Sequence, residues 1–185
     1  AMQKSRASVI GLHPMFRPSP VGFKNQTVVM CASRASKKEV AMVKNWFTNA
    51  GAKVTFMTPA HHDRLMSIIQ VLVHFHTIAL GHAMRRLGVP IRESLKAASP
   101  IYKLEMNMIG RIFSQDPTLY GAIEMFNPET KRVTKTLQDE VKKLAEIVLK
   151  KDFKNFKLSF KKTSKFLGDF KEEALEEINR LLAKR

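Results

Sequence analysis

The stretch AKVTFMTPAHHDRLMSIIQVLVHF, residues 52–75, changes character at Pro59, and that change decides the fold. Before the proline, AKVTFM is a short β-branched and aromatic run, the composition of a strand. After it the apolar residues fall into a helical pattern that continues to residue 87 and stops at LGVP, a glycine followed by a proline. One side of Pro59 belongs to an α/β fold and the other to a helical one.

Toward the N-terminus, ASVIGL and QTVVMCA are further β-branched runs bounded by Pro, Gly and Asn. Between the second run and AKVTFM, SKKEVAMVKNWFTNAG opens on a serine cap and closes on Gly51, which makes it a helix. Three strands and one helix leave most of a sheet uncovered, so residues 1–58 are expected to be the end of a larger α/β domain. Toward the C-terminus the pattern stays helical. One helix covers residues 99–113, entered through Pro100, and another is DPTLYGAIEMF, with Asp116 as cap and Pro117 in the first turn. Val133, Leu137, Val141, Leu144 and Val148 then form one apolar stripe. Phe153, Phe156 and Phe160 repeat that spacing and are expected to face a core, and Ala174, Ile178, Leu181 and Leu182 close the chain. The expected fold is an α+β fragment, a strand-helix edge over residues 1–58 followed by an all-α domain over residues 59–185.

With 185 residues, 44% apolar and 26% charged, the chain has the composition of an ordinary globular protein. Its longest apolar segment, SIIQVLVHFHTIAL, reads as a buried helix, too short to span a bilayer and interrupted by Gln70, His74 and His76. No secretion signal is evident. Cys31 is the single cysteine, so no internal disulfide is possible; a buried thiol and a reducing, cytoplasmic setting are expected. The formal charge of +16 calls for an anionic partner or a strongly solvated surface. Residues 1–58 hold nine of the 32 basic and one of the 16 acidic side chains, leaving 23 and 15 for the remainder. The near absence of acids from the front suggests that an acidic neighbour is missing.

Three places carry candidate chemistry. In GLHPMF, Pro14 restricts His13 to an extended conformation, so its imidazole sits either in an ordinary proline turn or at a strand end, where ligands of α/β sheets bind. His74 lies mid-helix between Val73 and Phe75 and is either a satisfied core histidine or a site residue. The six histidines lack metal-ligand spacing: His74 and His76 point about 200° apart around a helix, and His62 and Asp63 are expected to cap and charge-balance its first turn. In SPIYKLEMNMIGR, Lys103 and Arg111 stand about 12 Å apart along a helix among apolar neighbours, a setting in which a cation calls for a specific anion.

Together GLHPMF, HHDRLMSIIQVLVHF and SPIYKLEMNMIGRIFSQDPTLYGAI resemble the prephenate dehydrogenases of tyrosine biosynthesis, particularly the enterobacterial kind. The resemblance runs from Gly11 to the C-terminus. It implies the edge of a Rossmann-like nucleotide-binding domain, followed by a helical substrate-binding domain that forms a homodimer. The implied reaction is oxidative decarboxylation of prephenate to 4-hydroxyphenylpyruvate with NAD or NADP. His13 matches the family's catalytic histidine, which accepts the proton of the ring hydroxyl. Arg111 matches the arginine that grips a substrate carboxylate, and Gln70 and His74 match a pocket-lining Q-x-x-x-H-F element. Lys103 stands where the enterobacterial enzymes have a second arginine, and Arg17 replaces the glycine usual after HPMF. No GxGxxG fingerprint occurs, so the chain is expected to bind no cofactor and to be inactive alone. The alternative is a basic helical module for nucleic-acid binding or dimerisation, motivated by the charge and by the lysines from Lys150 to Lys165. The helical spacing of Phe153, Phe156 and Phe160 weighs against the nucleic-acid version, and no membrane partner is expected.

Overall fold

The computed structural model describes residues 7–16 and 22–183; Arg17 lies outside them. Two compact units divide the chain, one comprising the residues up to Ile69 with Asn127–Glu129, the other Gln70–Phe126 with the residues from Thr130 onward. The change of secondary structure is at Pro59, and the unit holding the sheet runs on to Ile69.

In the first unit β1 (Val9–Pro14), β2 (Thr27–Arg34) and β3 (Lys53–Phe56) form a sheet in the order β1-β2-β3. The β1-β2 pair is antiparallel, with His13 opposite Val29 and Gly11 opposite Cys31. The β2-β3 pair is parallel, which requires a crossover, and α1 (Lys37–Asn49) supplies it. Ser36 starts α1 with a full capping box: its hydroxyl accepts from the Glu39 N–H, and the Glu39 carboxylate accepts from the Ser36 N–H. Alternation along β2 then sorts its side chains between two faces. Val28 and Met30, both fully buried, pack with Phe47 of α1 and with Ala52. Val29 and Cys31 point the other way and are buried as well, as expected for the thiol. Helix α2 (Pro59–Met66) packs against β2.

Helix α2 opens differently from expectation. Thr58 is its cap, accepting from the His61 N–H at 3.2 Å, with Pro59 in the first turn. His62 and Asp63 are released from capping and do something else. The helix continues through a π-helical turn, Ser67–Leu72, into α3 (Val73–Arg86). By length and composition this 28-residue helix, Pro59–Arg86, could cross a membrane, whereas the apolar segment taken alone is too short. Nor is it deeply buried: only 17% of its most apolar window is covered, and Ile68, Ile69 and Val73 stay about half exposed.

In the second unit α3 packs on α5 (Pro100–Phe113) and on α6 (Pro117–Phe126), after the short α4 (Ile91–Ser94) and a 3-10 turn, Leu95–Ala97. Ser99 and Asp116 cap α5 and α6, accepting from the N–H groups of Tyr102 and Thr118. Gly81 lets α3 approach α5 closely, because a β-carbon there would collide with the Phe113 ring. Val71, Thr77, Ile109, Ile112 and Tyr120 are the buried residues at this packing. Helices α7 (Thr130–Leu149), α8 (Phe153–Leu167) and α9 (Phe170–Ala183) follow. Here the expectation of a covered phenylalanine stripe fails. Phe153 and Phe160 are 71% and 68% exposed, and Val141, Leu144 and Val148 are open too. The spacing is helical, but within one chain these helices present more apolar surface than they have neighbours to cover. Leu144, Ile147, Phe156, Phe160 and Leu167 line an open groove of about 640 Å³ there.

Candidate functional site

In the first unit the site grows from the register of β1. His13 lies opposite Val29, so its side chain shares the sheet face on which α2 packs, away from the Met30 core. There its Nδ1 meets His62 Nε2 at 2.9 Å, with the rings edge to face at 5.1 Å. His62 Nδ1 in turn lies 2.9 Å from the Asp63 carboxylate. The turn carrying this pair is tied down from a distant part of the chain: the Asn127 side-chain N–H donates to the Asp63 carbonyl at 2.9 Å, and Asn127 Oδ1 accepts from the Glu129 N–H. Burial, and after it the neighbouring His62, hold the His13 imidazole below its ordinary value, which favours the uncharged ring. Burial, followed by the Asp63 charge, pushes the Cys31 thiol up and keeps it unreactive.

In the second unit His74 and Arg111 come together. His74 stacks edge to face on buried Tyr120, ring centroids 5.0 Å apart, and Tyr120 accepts a hydrogen bond from Gln115. Burial and then the Arg111 charge lower the His74 imidazole from its ordinary value. Its Nδ1 is buried without a hydrogen-bond partner among the described residues. The satisfied core histidine is therefore not what is found. Arg111 is exposed on α5 and paired with no acid among the described residues, so its guanidinium is available to an external carboxylate. Lys103 is exposed about two turns earlier on the same helix. Gln70 is half-buried in the π turn, one helical turn before His74. Such turns often mark functional positions in helices.

Two features escaped the sequence reading. One is the contact of His62 with His13 across 49 residues; its signal, a histidine and an aspartate behind a Thr-Pro cap, was read as local capping. The other is Glu124, a lone acid between Ile123 and Met125 on α6. Both its carboxylate oxygens are buried with no partner among the described residues, and burial pushes the group up to about 7.

Residues 58–162, more than half of the chain, match the family model described as the dimerization domain of prephenate dehydrogenase. The chain belongs to the prephenate dehydrogenase family. It is 41% identical over 167 residues to the probable arogenate/prephenate dehydrogenase of Methanocaldococcus jannaschii, covering 89% of this chain and 37% of that protein. With the T-protein of Haemophilus influenzae it shares 34% identity over 178 residues, covering 95% of this chain and 46% of the relative. The chain thus spans less than half the length of these relatives. Among solved structures, Synechocystis arogenate dehydrogenase superposes with a TM-score of 0.65 at 16% identity, over 89% of this chain and 62% of that one. Prephenate dehydrogenase from Aquifex aeolicus, in complex with hydroxyphenyl propionate and NAD+, gives 0.62 at 19% identity, over 90% and 58%. At these identities the likeness establishes the fold: the edge of a Rossmann-type sheet followed by a helical domain.

Within this family member, Glu124 makes stability depend on pH. Its carboxyl titrates at about 7 when folded against an ordinary 4.5, so the folded chain holds an extra proton between those values. The associated stability is complete below 4.5 and is lost as the pH rises through 7. Replacement Glu124→Gln is expected to flatten that slope and to stabilise the chain at pH 8 by about 1–2 kcal/mol, allowing for partial solvent screening. Chemical denaturation at pH 5 and pH 8 measures both.

Proposed function

We propose that this chain is the substrate-binding and dimerising part of an enzyme that oxidatively decarboxylates prephenate to 4-hydroxyphenylpyruvate, with arogenate as the alternative substrate. The observation that carries this reading is His13: a half-buried imidazole held neutral at a strand end and anchored through Nδ1 by His62. Oxidising a ring carbinol requires removal of its O–H proton as the hydride departs, and a neutral imidazole is the group for that task. The substrate's carboxylates need cations. Arg111, unclaimed by any acid among the described residues, offers a planar two-point donor, and Lys103 offers a second charge without the fork. His74, its Nδ1 unpartnered, and Gln70 complete the proposed set of substrate contacts. Loss of carbon dioxide then follows because it makes the ring aromatic.

The hydride acceptor of such a reaction is a nicotinamide dinucleotide, NAD or NADP, and the A. aeolicus relative was crystallised with NAD+. The residues described here do not fit one. The β2-α1 turn, Arg34 to Ser36, contains no glycine, and the Glu39 carboxylate occupies the N-terminus of α1, where a pyrophosphate would otherwise find its N–H groups. In the whole protein we place the dinucleotide on other residues. Self-association belongs to the same reading: the matching family model describes a dimerization domain, and the apolar faces of α7 and α8 lie open in the single chain. That match, rather than any burial of the phenylalanines, favours the dehydrogenase reading over the nucleic-acid one.

In the whole enzyme, His13→Asn is expected to lower kcat about 10² to 10⁴-fold with little change in KM, which steady-state assays with prephenate and with arogenate would measure. Under the same assays Arg111→Ala should mainly raise KM; an unchanged KM would remove Arg111 from substrate binding. Sedimentation equilibrium of the chain itself should give a dimer, shifted to monomer by Phe160→Asp on the open face of α8.

A further inference from the structure

The described residues place a second imidazole and a carboxylate in line behind His13, and the proposed reaction has so far given them no part beyond the anchoring of His13 by His62. His13 Nδ1 to His62 Nε2 and His62 Nδ1 to Asp63 Oδ1 are both 2.9 Å, a continuous chain of hydrogen bonds running from β1 into α2. We propose that His62 and Asp63 are positioning residues that fix the tautomer of His13 and share the charge it acquires. This rests on His13 being the base.

The direction of the chain follows from its last member. A carboxylate has no hydrogen to give, so Asp63 can only accept, and His62 must carry its proton on Nδ1. That leaves His62 Nε2 as a lone pair facing His13, and His13 must in turn carry its proton on Nδ1. The basic nitrogen of His13 is then Nε2, the atom that takes up a substrate proton. When Nε2 is protonated, the Nδ1 proton of His13 strengthens its bond to His62, and the added charge is felt by Asp63 through His62. No atom leaves the chain: the proton that arrives at His13 Nε2 is held there or returned, while the two inner protons shift only within their hydrogen bonds. The same arrangement makes double protonation of the two rings unfavourable, in line with the direction in which His62 moves His13.

The surroundings suit this role. His62 is the less exposed of the pair, with 21% of its side chain accessible against 42% for Asp63, so the carboxylate is the more solvated of the two. Facing the chain from β2 is Cys31, a thiol held in its neutral form and therefore no competing charge. From residues 127–129, Asn127 binds the Asp63 carbonyl, which fixes the backbone and leaves the carboxylate to His62. A capping role would have sent both side chains toward the backbone N–H groups of α2, and Thr58 does that work.

The experiment is nitrogen NMR of the uniformly 15N-labelled chain, with the ring nitrogens of His13 and His62 assigned near pH 7.5. Both rings are expected predominantly as the tautomer protonated on Nδ1, the minor form of free histidine. In Asp63→Ala the His62 preference should collapse and that of His13 should fall with it, and Asp63→Glu should restore both in part. A wild-type His13 protonated on Nε2 would overturn the proposal, and so would a His13 tautomer unmoved in a folded Asp63→Ala variant. The wild-type spectrum stands without any variant, so a variant that fails to fold leaves the test intact. In the whole enzyme Asp63→Ala should lower kcat about 10 to 100-fold, the usual cost of removing an outer partner, with KM nearly unchanged. Loss of the tautomer preference without loss of activity would show that His13 is not the base; full activity with the preference intact in Asp63→Ala would sink the positioning role alone.

Discussion

Strand β2 is hydrogen-bonded along both edges, and the remainder of the first unit depends on those two pairings. Its antiparallel edge sets the register of β1 and so chooses which face of the sheet receives His13. Its parallel edge obliges the chain to cross over through α1, and it sets the end of β3 at Phe56, from which α2 begins three residues later. A slip of one residue in the β1-β2 pairing would turn His13 onto the Met30 face and leave His62 without its imidazole partner. The hydrogen bond between two imidazoles, residues 13 and 62, is therefore a product of sheet register more than of either local sequence.

Much of this architecture was readable from residue patterns. The strand, strand, helix, strand order and the break at Pro59 came from β-branched runs, a serine cap and a proline, signals that act within a few residues. The entry of α5 through Pro100 and the Asp116 cap of α6 were visible for the same reason. What could not be read was long-range. His62 sits where local rules assign a cap, and only the packing of α2 on β2 shows that its partner is His13. The π turn at Ser67–Leu72 leaves no mark that a 3.6-residue period would detect, because its apolar composition is the same as that of an α-helix.

The phenylalanines of α8 show the other limit of periodicity. A stripe of Phe153, Phe156 and Phe160 states that one helix face is apolar; it does not state whether the same chain supplies the cover. Here it does not. The substrate-facing candidates were legible to different degrees. His13 and Arg111 stood out because a histidine before proline and a cation among apolar residues need explaining, whereas Glu124 was passed over as one acid in an otherwise apolar helix. Its unpartnered oxygens became visible only when the neighbouring atoms were in place.

Asn127 completes the first unit from far along the chain. The residue that holds the Asp63 carbonyl is 64 positions later, so the sheet-bearing unit is not contiguous in sequence and cannot be finished until the polypeptide has passed through α3 to α6. During synthesis the strands and α1 have emerged long before this last bond can form, and the turn that presents His62 and Asp63 waits for it. Completion of the hydrogen bonds around His62 and Asp63 is thus a late event in the birth of the molecule, because a chain stopped short of residue 127 lacks the last of them.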